Sequence, residues 1–161
     1  LIYLKSKKID EVIFVEPSKK FTYYNISNKS FIDNAKKLNL KINNNTNLSL
    51  EDSNETFQKK IFKFFNNKKT IKGIICGSDV KSIILLSTLG NLGYKVNKDV
   101  YVISKGIHSM PKYFYPKIPF FFEDMEEAGH KLGEFLLKRI NGEKINKLQM
   151  IRKIKYFDQE K

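Results

Sequence analysis

Short apolar runs alternate with helix-period stretches along almost the whole chain, and this alternation limits the folds open to it. Glu11 to Val15, Ile71 to Cys76 and Val100 to Ile103 are strand-length runs, apolar on both faces. Strands of that kind belong to parallel sheets covered by helices on both sides. Between the runs, Thr22 to Leu40 carries Tyr23, Ile26, Phe31, Ala35 and Leu38 close to a 3.6-residue period. The predicted fold class is therefore α/β, a parallel sheet flanked by helices.

The finer reading follows from caps and breakers. Leu1 to Lys8 reads as the last turns of a helix, Lys41 and Ile42 as a short strand, and the Asn-rich stretch 43–54 as a loop. Ser53 with Thr56 opens a helix to Asn66, whose apolar face is Phe57, Ile61, Phe64 and Phe65. Asp79 is expected to N-cap a helix from Val80 to Leu92 that Gly93 ends. Ser104 to Lys117 reads as a loop and Ile118 to Phe122 as an extended run. Asp124 caps a helix from Met125 to Asn141, stopped by Gly142, with Met125, Ala128, Leu132, Phe135, Leu136 and Ile140 on one face and Gly129 and Gly133 permitting close packing. Leu148 to Phe157 alternates loosely as a final strand. Sheets of this class bind ligands beyond the carboxyl ends of their strands. The loops in question are Glu16 to Tyr24, Gly77 to Asp79 and Ser104 to Ser109.

Composition narrows the function classes. With 161 residues, 41% apolar, the chain can build a real core. Its longest apolar runs are too short to span a bilayer, so no membrane is expected. The net charge of +13 comes from lysines scattered over the whole length rather than from arginines or aromatics clustered on one element. That distribution describes a solvated surface better than a nucleic-acid site. The single cysteine, Cys76, sits in an apolar run and reads as a small buried hydrophobe, which fits a cytoplasmic location. His108 and His130 lie far apart and lack a ligand set at metal spacing. Glu126 and Glu134 flank His130 at helical spacing, so charge pairing accounts for it. No phosphate-loop, nucleophile-elbow or dinucleotide motif occurs. No enzyme, cofactor or metal is expected.

Three stretches, in order, resemble the lactose-repressor (LacI/GalR) family of transcription regulators. They are the helix-to-strand segment Lys5 to Val15, the strand and turn Gly73 to Asp79 followed by Leu92-Gly93-Tyr94 to Ile103, and the last long helix, Asp124 to Glu143. The resemblance implies a periplasmic-binding-protein-like (type I) lobe, mostly the C-terminal subdomain. Residues 1–118 and 148–161 would form that lobe, and 119–147 the crossover and last helix of the N-terminal lobe. The DNA-binding head would lie outside the chain. The implied function is effector sensing and dimerisation in a regulator. Its partners would be a second copy, a small effector (sugar, sugar phosphate or nucleobase) and operator DNA held through the head. A solute-binding protein of a sugar transporter has the same fold and is the alternative, and a dimerising module without a ligand is a third reading.

The resemblance also places an effector cleft. Its candidates are Tyr24, Asn25, Ser78, Asp79, Lys105 and Glu123. Asn25 stands where the family has an arginine, Ser78-Asp79 where it has Asn-Asp, and Ser104-Lys105-Gly106-Ile107 where it has an acidic loop. Most of the usual sugar-holding groups are thus replaced. Each candidate also has a plainer role: Asp79 as a helix cap, Ser78 as a turn residue, Asn25 and Lys105 as solvated polar groups, and Tyr24, beside Tyr23, as a ring packed on the strand. Glu123, at the strand-to-helix crossover, is the better functional candidate. Ile83, Leu86, Tyr113, Phe114 and Tyr115 match the family's dimer contact, and clustered Tyr and Phe suit an interface.

Overall fold

The computed structural model describes residues 1–15, 17, 19–20, 22–66, 72–107 and 110–158. Glu16, the start of the third strand at Ile71, and His108 with Ser109 lie outside the described residues. In chain order the elements are α1 (Ile2–Ser6), β1 (Glu11–Val15), α2 (Thr22–Lys37), β2 (Lys41–Ile42), α3 (Asn54–Phe65), β3 (Lys72–Cys76), α4 (Asp79–Asn91), β4 (Val100–Gly106), β5 (Phe120–Phe122), α5 (Met125–Ile140) and β6 (Lys155–Phe157). They form one sheet in the order β2-β1-β3-β4-β5-β6. The first five strands are parallel, and β6 returns antiparallel to β5.

Strand parity divides the core. Because successive side chains point to opposite faces, Ile13 and Val15 of β1 join Ile74, Cys76 and Val102 in packing against Phe57, Ile61 and Phe65 of α3 and Leu85 and Leu89 of α4. Val12 and Ile103 face the other way, against Leu4, Ile9, and Phe31 and Ala35 of α2. At the start of the strands the buried Lys72 ammonium pairs with Glu11, whose other oxygen accepts from Asn43 Nδ2 at 2.5 Å. Burial pushes the Lys72 pKa down, and the carboxylate offsets the cost of placing that cation under the sheet.

Three expectations are corrected. β4 runs on to Gly106 instead of giving way to a loop at Ser104, because Ser104 to Gly106 pair with Phe120 to Phe122. The polar Ser104 is tolerated inside because its hydroxyl lies 2.8 Å from that of Ser82. The cap of α4 is Ser78, whose Oγ accepts from Lys81 N at 3.3 Å, while Asp79 occupies the first helical position. Finally, only Lys155 to Phe157 of the loosely alternating tail forms a strand, fixed by Phe157 stacking on Phe120 with ring centroids 4.9 Å apart. The other helix signals hold. Asp124 caps α5 through Glu127 N at 3.1 Å, and Gly93 and Gly142 take the positive φ, +79° and +89°, that ends α4 and α5.

Candidate functional site: the carboxyl-end crevice

The topology fixes where a crevice opens. From β1 the chain passes over one face of the sheet to β2; from β3 it passes over the other face to β4. The connections after β1 and β3 therefore part at the carboxyl ends of two paired strands, where Val15 lies beside Cys76. Such a switch point is the usual ligand position in an open α/β sheet.

Ser78 and Asp79 stand at this point, but both are engaged. Ser78 spends its hydroxyl on the α4 cap. Asp79 is 4% exposed, with Oδ1 accepting from Val80 N at 2.8 Å. Its other oxygen packs on the end of β4, where a Cβ added to Gly106 would meet Asp79 Oδ2 at 3.2 Å. A side chain at this position would have to press the carboxylate or Pro111 aside by a few tenths of an ångström. Nearby, the structure brings Lys105 and Glu123 together in an ion pair of 3.0 Å, both side chains partly exposed. Glu123 N also donates to Gly106 O at 3.1 Å, which seats the crossover on β4. Tyr24 is half-buried on α2 and its hydroxyl accepts from Asn28 Nδ2 at 3.2 Å, whereas Asn25 is exposed one residue on. Cys76 is fully buried and burial pushes its thiol pKa up, as expected of an inert sulfur.

The five residues assigned to a dimer contact divide. Leu86 and Phe114 are buried, both in the core beside α3 and α4, so they cannot supply contact area to a partner. Ile83, Tyr113 and Tyr115 are exposed, the two tyrosines by 81% and 94%. Val80, Ile107 and Met110 are exposed too. Sequence reading missed a polar cavity beside the crevice. It is lined by Lys19 and Lys20 after β1 and by Asn43, Asn44 and Asn47 after β2. The signal was the Asn-rich composition of 43–54, which marks a loop without saying what the loop encloses.

α5 differs from every other long helix in having no buried residue. Leu132, Leu136, Leu137 and Ile140 are each more than 60% exposed. A Cβ added at Gly129 or Gly133 would meet no other element of the described chain within 4 Å. α5 is tied down near its start, where Arg152 donates to Asp124 O at 2.6 Å and pairs with Glu127 at 2.7 Å.

The family model for the periplasmic binding protein-like domain matches residues 1–154. The chain belongs to that family. Solved structures with the same fold include a probable maltose operon transcriptional repressor of Staphylococcus aureus, at TM-score 0.81 and 16% identity, covering 98% of this chain and 55% of the other. A LacI family transcriptional regulator from Bifidobacterium animalis subsp. lactis gives TM-score 0.79 and 18% identity over 98% and 56% of the two chains. A periplasmic binding protein/LacI transcriptional regulator from Alkaliphilus metalliredigens, complexed with D-xylulofuranose, gives TM-score 0.73 and 20% identity over 98% and 58%. No curated protein matches the sequence. The chain spans little more than half the length of these solved relatives. Among the described residues no helix is long and apolar enough to cross a membrane, and no group of three or more His, Cys, Asp or Glu could hold a metal ion.

Proposed function

We propose that this chain is the effector-sensing and self-associating part of a LacI-type DNA-binding transcription regulator. The observation that carries this reading is the switch-point crevice in a domain of the periplasmic binding protein-like family, whose structural neighbours described above are transcriptional regulators. Those descriptions favour regulation over solute transport. The uncovered face of α5 supports the division of the chain into a C-terminal lobe (1–118 and 148–161) and a crossover with one helix of a second lobe (119–147). A helix that fully buries no residue of its apolar stripe among the described residues is built to be covered further by another element. An effector held between the lobes by groups such as Tyr24, Asn25, Ser78, Lys105 and Glu123 changes the lobe angle, and with it the DNA affinity of a head joined to the first lobe.

The test is operator binding by the intact protein, followed by fluorescence anisotropy on duplexes from the region upstream of its own gene. A saturable, sequence-preferring complex whose affinity changes with a small effector is expected, and indifference to sequence sinks the regulator reading. The self-association surface is now Ile83, Tyr113 and Tyr115. Tyr113→Ala with Tyr115→Ala is expected to shift sedimentation towards the monomer without lowering the melting temperature. An unchanged dimer removes that assignment.

A further inference from the structure

Along the chain the lysines are scattered, but the topology gathers a set of them at one end of the sheet. α1, α2 and α4 each end beside the amino ends of the strands they lead into, so the turns that enter β1, β2 and β4 share the edge opposite the crevice. Lys8 stands before β1, Lys36 and Lys37 end or nearly end α2, Lys41 opens β2, and Lys95 and Lys98 lie in the turn before β4. All six are exposed, and among the described residues none of their ammonium groups enters a hydrogen bond or ion pair.

The acids of this edge do not balance them. Asp10 pairs with Lys5 at 3.6 Å, and Glu11 is neutralised by the buried Lys72. Asp99 Oδ2 accepts from Lys95 N at 2.7 Å. Asp33, one turn before the end of α2, is paired with neither Lys36 nor Lys37. The six lysines set against Asp33 and Asp99 leave an excess of four positive charges. Asp52, Glu55, Asp79, Glu123 and Asp124 all lie at the other end of the sheet.

Backbone strain is an independent sign. Three turns of this edge take a positive φ. Asn39 and Asn97 supply it at +52° and +68°, and asparagine accepts that conformation readily. The third is Lys8, at +58°, where a lysine is strained and a glycine or asparagine is not. A charged residue held at a strained position points to a use for its charge.

The edge lacks what a protein partner requires. Interfaces between proteins have an apolar core and are poor in lysine, whereas residues 7–10, 38–41 and 92–99 include no exposed large apolar side chain. Lys41, Lys8 and Lys98 belong to the starts of β2, β1 and β4, three strand spacings or about 14 Å across. A duplex carries about eight phosphates over that length. Neither arginine, Arg139 on α5 or Arg152 after it, lies here to read a base edge. We infer that the amino edge of the sheet is a duplex DNA contact that holds the phosphate backbone without reading sequence. It lies on the side of the lobe away from the crevice and is separate from any head that reads an operator.

Fluorescence anisotropy of the intact protein with a labelled duplex of unrelated sequence, across a range of salt concentrations, tests this. A head joined to the protein contributes equally in every variant. The triple variant Lys8→Glu, Lys41→Glu, Lys98→Glu is expected to weaken binding about ten-fold or more, and to make the fall of log affinity with log salt shallower by about two to three. Lys19→Glu, Lys29→Glu and Lys59→Glu together, the same change of charge at other exposed sites, should stay within about two-fold. Lys8→Asn alone should make the salt dependence shallower by about one while the melting temperature holds or rises. Unlabelled duplex should displace the labelled one, and poly-glutamate at equal charge should not. Equal losses in the two triple variants, a salt dependence untouched by Lys8→Asn, or displacement by poly-glutamate each overturns the inference, the last in favour of an acidic protein.

Discussion

α4 and α5 are both regular helices opened by a side-chain cap, yet they sit at opposite extremes of burial. α4 buries Leu85, Leu86 and Leu89 against the sheet and α3, and it is apolar around most of its circumference. α5 carries a clean apolar stripe with charged residues opposite, and buries none of it. An amphipathic pattern records that a helix was built to be half-covered, but not by what. In α4 the cover is in the chain. In α5 the described residues bury no side chain fully, and the proposed division into lobes rests on this difference.

The largest effects should fall on the α4 side. Phe114→Ala removes a ring from the core around α3 and α4 and is expected to cost about 3–5 kcal/mol in urea unfolding. A loss of self-association at unchanged stability would restore Phe114 to the interface instead. Leu85→Ala, at a site with no solvent exposure, should cost about 2–5 kcal/mol. The matching change in α5, Leu136→Ala, is expected to alter this chain by no more than about 0.5 kcal/mol. In the intact protein the same change should cost several times more, and equal costs in the two settings would show that nothing covers the stripe.

The two caps separate next. Ser78→Ala should destabilise by about 1 kcal/mol, since it leaves Lys81 N without its acceptor in a half-buried turn. Asp124 contributes through charge as well. The bond from Glu127 N, chiefly, holds its carboxyl below the usual range, with Lys155 and Arg152 adding to it. A depressed carboxyl stabilises the fold above its unfolded pKa and loses that contribution as pH falls through the folded value. Melting temperatures followed from neutral pH to below about pH 4 should therefore drop less in Asp124→Asn than in the parent. A steeper drop in the variant would refute the assignment. Smallest of all is Lys131→Ala, which breaks an exposed pair with Glu134 on α5 and should change stability by under about 0.5 kcal/mol.

The same contrast explains what could be read before any coordinates. The stripe of α5, its Asp124 cap and its Gly142 stop were legible because each is a local pattern with a local cause. Leu86 and Phe114 were misjudged because their surroundings carry no period: α4 is apolar on most sides, and Phe114 stands between two tyrosines just after a single 3-10 turn, Met110–Tyr113. Asp79 was given the cap that Ser78 holds because both residue types cap helices, and only the backbone's exit from β3 chooses between them. Ser104 looked like the start of a loop because nothing in its neighbourhood announces the Ser82 hydroxyl, 22 residues earlier, that satisfies it.

The sequence alone determined the parallel α/β architecture, the positions of its long helices and the family to which the domain belongs, since these follow from period, caps and ordered motifs. Tertiary structure decided which polar groups remain available. Ser78, Asp79, Lys105 and Glu123 are all engaged by neighbours remote in sequence, or by the turn they sit in. The free or engaged state of a polar side chain depends on what the fold places within about 3 Å of it, and no local pattern encodes that.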